Sequence, residues 1–122
     1  MSQQAGGSPI FVKTHDFVRW LVPKTLNFPK SQRGVLARRL QHLCFDLYEC
    51  LIDATMVDRP LAYLQEADRI LTKLRSYIRM SHELTLLNSN SYRFASEQTA
   101  EIGRLLGGWQ RSLRKHRSSP TG

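Results

Sequence analysis

Hydrophobic positions along this chain recur every three or four residues, and no segment sustains the period-two alternation of a half-buried strand. Four helices follow from that pattern. The first is predicted from Pro9 to Leu26, with Phe17, Val18 and Leu21 on one face and Trp20 toward a flank. Pro23 is expected to kink it or end it early, because proline removes a backbone donor and crowds the preceding turn. The second begins just after Pro29, where a proline suits helix initiation, and runs to about Val57. The third covers about 60–87. "NSNS" then breaks the pattern, Ser91 reads as an N-cap, and the fourth helix extends to about Lys115. Connections of a few residues between long helices make neighbours antiparallel. The expected fold is all-α, an antiparallel up-down four-helix bundle over residues 9–115, with a disordered lead at 1–8 and a disordered polar tail at 116–122.

The second helix carries more apolar surface than one bundle face needs. Leu36, Leu40, Leu43, Leu47, Leu51 and Ala54 fall within an arc of about 80°, the core stripe. Phe45, Tyr48 and Ile52 form a second stripe, displaced by roughly 100–160°. Either the rest of this short chain wraps the helix completely, or the stripe is a contact between subunits; the interface is the favoured reading. The fourth helix has Phe94, Ala95, Ile102, Leu105, Leu106, Trp109 and Leu113 on one side and Arg93, Arg104 and Arg111 almost opposite, a basic ridge that Arg114 and Lys115 extend. Gly103, Gly107 and Gly108 each cost a helix about 1 kcal/mol relative to Ala. They point to close approach of a neighbouring backbone, or to fraying from Gly107 onward.

A chain of 122 residues with 41% hydrophobic content suits one folded domain rather than a disordered polymer. No apolar run approaches the ~20 residues that span a bilayer, and no membrane partner is expected. "MSQQAGGSP" lacks both the basic and the apolar segments of a signal peptide, so a cytoplasmic location is expected. Cys44 and Cys50, six residues apart in one predicted helix, point about 120° apart and cannot bridge; two free, buried thiols are the expectation.

Charge changes the picture most. Eighteen Lys and Arg against ten Asp and Glu give +8, and most of the basic groups lie in the predicted helices. Such a field favours polyanions over simple solubility. "FPKSQRGVLARRLQ", 28–41, opens a helix with Lys30, Arg33, Arg38 and Arg39 and no acid. A helix start carries the positive end of the dipole and normally takes Asp or Glu, so an external anion is expected to supply the negative charge.

Enzymatic chemistry has no foothold. A di-metal bundle needs Glu-x-x-His motifs, and none of Glu49, Glu66, Glu83, Glu97 or Glu101 has a His three residues later. His15, His42, His82 and His116 are scattered one per helix, and His82-Glu83 lacks the second His of a zinc-protease motif. "GRLLGGW" lacks the Gly-Lys-Ser/Thr of a phosphate loop. No catalytic residue, metal or cofactor is expected; the chain reads as a binding protein.

Three segments, "LVPKTLNFPKSQRGVLARRLQ", "LQEADRILTKLRSYIRMSHEL" and "AEIGRLLGGW", resemble the accessory variability determinant (Avd) proteins of diversity-generating retroelements. These sit in a wider group of four-helix-bundle proteins that includes those encoded in ribosomal-RNA intervening sequences. The resemblance covers roughly residues 9–110 and departs at Gly34, where a bulky residue is usual. It implies a basic homopentameric barrel that binds a reverse transcriptase and its template RNA. It also implies support of adenine-mutagenised cDNA synthesis without any chemistry of its own.

On that reading Lys24, Lys30, Arg33, Arg38 and Arg39 form a basic rim at one end of the bundle, where phosphates satisfy both side chains and helix terminus. On the third helix Arg75 and Arg79 lie one turn apart, as do Arg69 and Lys73, on opposite flanks of the core stripe. Arg75 has no acid at helical spacing, and guanidinium forks suit phosphate. Arg75 and Arg79 with the rim are the first candidates; Arg104, Arg111 and Arg114 come second. The competing class is a helical module whose basic surface docks an acidic protein, with nucleic acid incidental.

Overall fold

The computed structural model describes residues 8–118, without the side chains at 32, 33 and 116–118. The expected disordered lead (apart from Ser8) and the last four residues of the expected tail lie outside the described residues. Helix α1 is Pro9–Leu26. Helix α2 is composite: one turn, Lys30–Gln32, a π-helical stretch, Arg33–Ala37, and the main helix, Arg38–Thr55. Helix α3 is Leu61–Glu83 and α4 is Ser89–Ser118. Each helix packs against its two neighbours in the order α1–α2–α3–α4–α1, which is an all-α four-helix bundle. Phe11 meets Trp109 and Trp20 meets Phe94 across α1 and α4, so these two run antiparallel.

The core follows the predicted stripes. Leu36, Leu40, Leu43, Leu47, Leu51 and Ala54 are all buried, and they meet Phe17 and Leu21 of α1, Leu64, Leu74 and Ile78 of α3, and Ile102 and Leu106 of α4 in one cluster. The second stripe of α2 is only partly covered by its own chain: Phe45 is 44% exposed and Ile52 37%. Met56, 75% exposed and one turn beyond Ile52, continues that stripe and was not foreseen. Tyr48 is half-buried, its ring 5.9 Å from that of His15.

Helix α1 has the expected bounds, Pro9–Leu26, and does not end early at Pro23. Arg19, whose carbonyl loses its partner, and Pro23 are both exposed, so water can take that bond. Local structure departs from expectation further along the chain. Helix α3 stops at Glu83, not near Leu87. Thr85 takes a left-handed φ of 60°, and the amides of Leu86 and Leu87 both turn back to the Ser81 carbonyl, at 2.8 and 3.3 Å. This C-terminal turn returns Leu87 to the core. Helix α4 starts at Ser89, and its cap is Asn88, not Ser91: Asn88 Oδ1 accepts from the Ser91 amide at 2.7 Å. Asn88→Ala is therefore expected to lower stability by roughly 0.5–2 kcal/mol, read as a shift of the urea midpoint at unchanged slope. Finally, α4 does not fray at Gly107 but continues to Ser118, three residues beyond the expected boundary.

Two glycines explain themselves differently. A Cβ on Gly103 would sit 3.4 Å from Leu71 Cδ2, so the glycine faces a side chain of α3 and not the neighbouring backbone that the sequence suggested. A Cβ on Gly34 would meet nothing within 4 Å. The small residue in the π-helical stretch costs no core contact, because that position faces outward.

Candidate nucleic-acid interface

The bundle's topology brings the C-terminus of α1, the start of α2, the last half of α3 and the start of α4 to one end. Lys24, Lys30, Arg38, Arg39, Arg75 and Arg79 are carried there. The side chain of Arg33 lies outside the described residues; its backbone belongs to the π-helical stretch between Lys30 and Arg38. Aromatic rings hold two of these cations in place. Lys24 Nζ sits 5.2 Å from the centre of the Trp20 ring, and the Arg39 guanidinium sits 5.9 Å from that of Tyr77. Thr25 is buried; its hydroxyl donates to the Val22 carbonyl and accepts from Gln41 Nε2 at 2.8 Å, tying α1 to α2.

Two shallow grooves flank the last half of α3. The first, about 370 Å³, lies between α2 and α3 and is lined by Gly34, Val35, Arg38, Arg39, His42 and Tyr77. The second, about 340 Å³, lies between α3 and α4 and includes Thr72, Arg75, Ser76, Arg79, Tyr92 and Ser96. Neither is lined by an acid. Glu83 Oε2 accepts from Arg79 Nε at 3.2 Å on an exposed face, a pair worth at most a few tenths of a kcal/mol. Among the described residues Arg75 has no ion-pair partner. At the rim of the second groove the Tyr92 ring stacks on His82, centroids 4.4 Å apart and planes 1° apart, and His82 Nδ1 lies 3.1 Å from the Leu87 carbonyl.

The other candidate cations lie outside these grooves. Arg69 pairs with Glu66, and Arg104 with Glu101. Lys73, two residues from Arg75 along α3, is exposed but lines neither groove. Arg69 and Arg114 share a third depression, about 230 Å³, with Asp68 and Gln110, nearer the other end of the bundle. Arg111 is exposed on the last turns of α4. What sequence reasoning missed is the polar and aromatic lining: Thr72 and Ser76 stand at helical spacing from Arg75 and Arg79 on α3, whereas Tyr92 and Ser96 reach them, and Tyr77 reaches Arg39, through helix packing.

Reactive groups are muted. Cys44 and Cys50 are both free and buried. Burial pushes the Cys44 thiol up to about 12, and burial first, then the Glu66 and Asp53 carboxylates, raise that of Cys50. Cys50 Sγ also donates to the Tyr63 carbonyl at 3.1 Å. Both stay protonated and weakly nucleophilic near neutral pH. Among the described residues no three His, Cys, Asp or Glu side chains come together to hold a metal ion, and no helix is long and apolar enough to cross a membrane.

The structure is a four-helix bundle that carries one group of its exposed cations beside two grooves and others elsewhere on its surface. The bAvd-like family model matches residues 10–113, nearly the whole described chain, so this protein belongs to the bAvd-like family, as the resemblance in its helices implied. None of the curated proteins compared with the chain matches it.

Proposed function

We propose that the chain is a non-catalytic accessory protein of a diversity-generating retroelement, binding the reverse transcriptase and its template RNA to support mutagenic cDNA synthesis and retrohoming. Family membership supports the setting. The observation that carries the binding role is the pair of acid-free grooves at one end of the bundle, each holding two arginines beside a tyrosine. Phosphate satisfies the guanidinium forks there, and aromatic faces suit unpaired bases. The chain assembles as a homopentamer through Phe45, Tyr48 and Ile52, and five copies concentrate a charge of about +40 in one particle.

One observation favours a protein contact at the same end. Leu26, Val35 and Leu84 are exposed there, and phosphate has no use for them, whereas a polymerase surface does. The second reading, an acidic protein docked on the basic surface with nucleic acid incidental, draws on the same residues. The experiment separates them. The purified chain alone should retard the retroelement's template RNA in a salt-dependent manner, and leaving it out should abolish adenine-mutagenised cDNA made by the reverse transcriptase. Tight binding to the polymerase with no affinity for RNA at low salt would favour the acidic-partner reading.

A further inference from the structure

The groove between α3 and α4 combines polar groups of opposite hydrogen-bonding ability. Arg75 and Arg79 offer donors only. Thr72 and Ser76, on the same helix, offer the reverse. Thr72 Oγ1 lies 3.0 Å from the Asp68 carbonyl, and Ser76 Oγ 3.0 Å from the Thr72 carbonyl. A carbonyl has no proton to give, so each hydroxyl must donate, and its remaining lone pairs can only accept. Thr99, buried at the base of the groove, is committed in the same way to the Ala95 carbonyl at 2.8 Å. The groove thus presents guanidinium donors beside hydroxyl oxygens that need a donor from outside.

The arrangement also repeats. Thr72 stands three residues before Arg75, and Ser76 three before Arg79. The two hydroxyl–arginine units are offset by four residues, about 6 Å along the helix. That offset is of the size that separates successive phosphates in a nucleic-acid strand.

A ligand that satisfies both halves carries an anionic acceptor next to a hydroxyl donor, at regular intervals. The ribose–phosphate backbone does so; the deoxyribose backbone offers acceptors only. We infer that this groove distinguishes RNA from DNA, holding phosphates on Arg75 and Arg79 while the adjoining 2′-hydroxyls donate to Thr72 and Ser76. The inference rests on the RNA-binding role proposed above and adds which sugar is read, and by which atoms.

The test uses the full chain and three fluorescent single strands of one sequence: RNA, its all-deoxy form, and a 2′-fluoro form that keeps the RNA sugar pucker but has no 2′ donor. RNA should bind more tightly than either other strand, by roughly two- to tenfold per 2′-hydroxyl contact, the net worth of one hydrogen bond. Thr72→Val with Ser76→Ala should remove that preference while leaving DNA affinity and the salt dependence of binding unchanged. Both positions are exposed, and circular dichroism checks that the fold persists. Arg75→Ala with Arg79→Ala should weaken RNA and DNA alike. Equal binding of RNA and the 2′-fluoro strand by the wild type, or a preference that survives in the Thr72/Ser76 variant, overturns the inference. Failure to bind any of the strands overturns the RNA-binding role itself, and this inference with it.

Discussion

Replacing Phe45 and Ile52 together by aspartate is expected to break the proposed homopentamer into helical monomers of 14.1 kDa. The two residues are seven apart, so they stand on one face of α2, two turns from each other. Both are exposed in the single chain, and Met56 extends the same apolar stripe. In a homo-oligomer that stripe is buried, and each aspartate would have to leave water for an apolar contact. A penalty of about 3 kcal/mol per interface, conservative for an uncompensated carboxylate, means roughly a 150-fold loss of affinity at each contact of the ring. Light scattering coupled to gel filtration reads the mass. Far-UV circular dichroism should hardly change, because neither residue belongs to the buried core cluster. Tyr48 is the less suitable site for this test, since its ring packs beside His15 and its loss would mix folding with assembly. A wild-type chain that runs as a monomer at micromolar concentration would end the subunit-interface reading. Loss of helicity in the double variant would mean that α2 depends on these side chains within its own bundle.

The sequence made the core legible because burial in a bundle is a periodic property. Leu40, Leu47 and Leu51 are wholly buried, and each is found by counting 3.6 residues per turn. The same count placed Phe45 and Ile52 outside the core stripe, and both are exposed in part. Departures arose where a single residue decides the geometry. Thr85 holds a left-handed conformation usually given to Gly or Asn, so nothing in "ELTLLNSN" announced that α3 stops at Glu83. The apolar run of Leu84, Leu86 and Leu87 continued the helical pattern in sequence while the chain was already turning. The π-helical stretch at Arg33–Ala37 has no compositional signature, and it sets the frame in which Arg38 and Arg39 reach the groove.

The candidate site was legible as charge and not as shape. Wheel positions identified Arg75 and Arg79 as exposed and only lightly neutralised. They could not show that Tyr92 and Ser96 arrive from α4, or Arg39 from α2 onto Tyr77, because such neighbours depend on how helices distant in sequence pack. Arg69 and Arg104 differ from Arg75 already in sequence, because Glu66 and Glu101 stand three residues before them on their own helices; that Arg114 shares a depression with Asp68 is visible only in the packing. Helical spacing and packing together rank the cations: Arg75 has no ion-pair partner among the described residues, and Arg75 and Arg79 line a groove with no acid in its lining.

That ranking makes the last prediction quantitative. Arg75→Ala with Arg79→Ala removes two positive charges per subunit from the acid-free groove, and Arg111→Ala with Arg114→Ala removes two from the far end of α4. The two variants have the same net charge, so a general attraction between a basic particle and a polyanion would suffer equally in both. Specific phosphate contacts would not. Each lost contact to a single strand should flatten the dependence of log K on log salt by about 0.7, so the Arg75/Arg79 variant should lose about 1.4 in slope for each groove that engages RNA. At about 1 kcal/mol per contact, its affinity at moderate salt should fall roughly 30-fold. The Arg111/Arg114 variant should keep its slope within a few tenths and lose at most a few-fold in affinity, through the long-range field alone. Fold stability should be similar in the two, because the arginines are exposed and Arg79's bond to Glu83 is worth a few tenths of a kcal/mol. Equal, small losses from both pairs would mean that RNA is held diffusely over the surface, and the groove would then have no claim as a site.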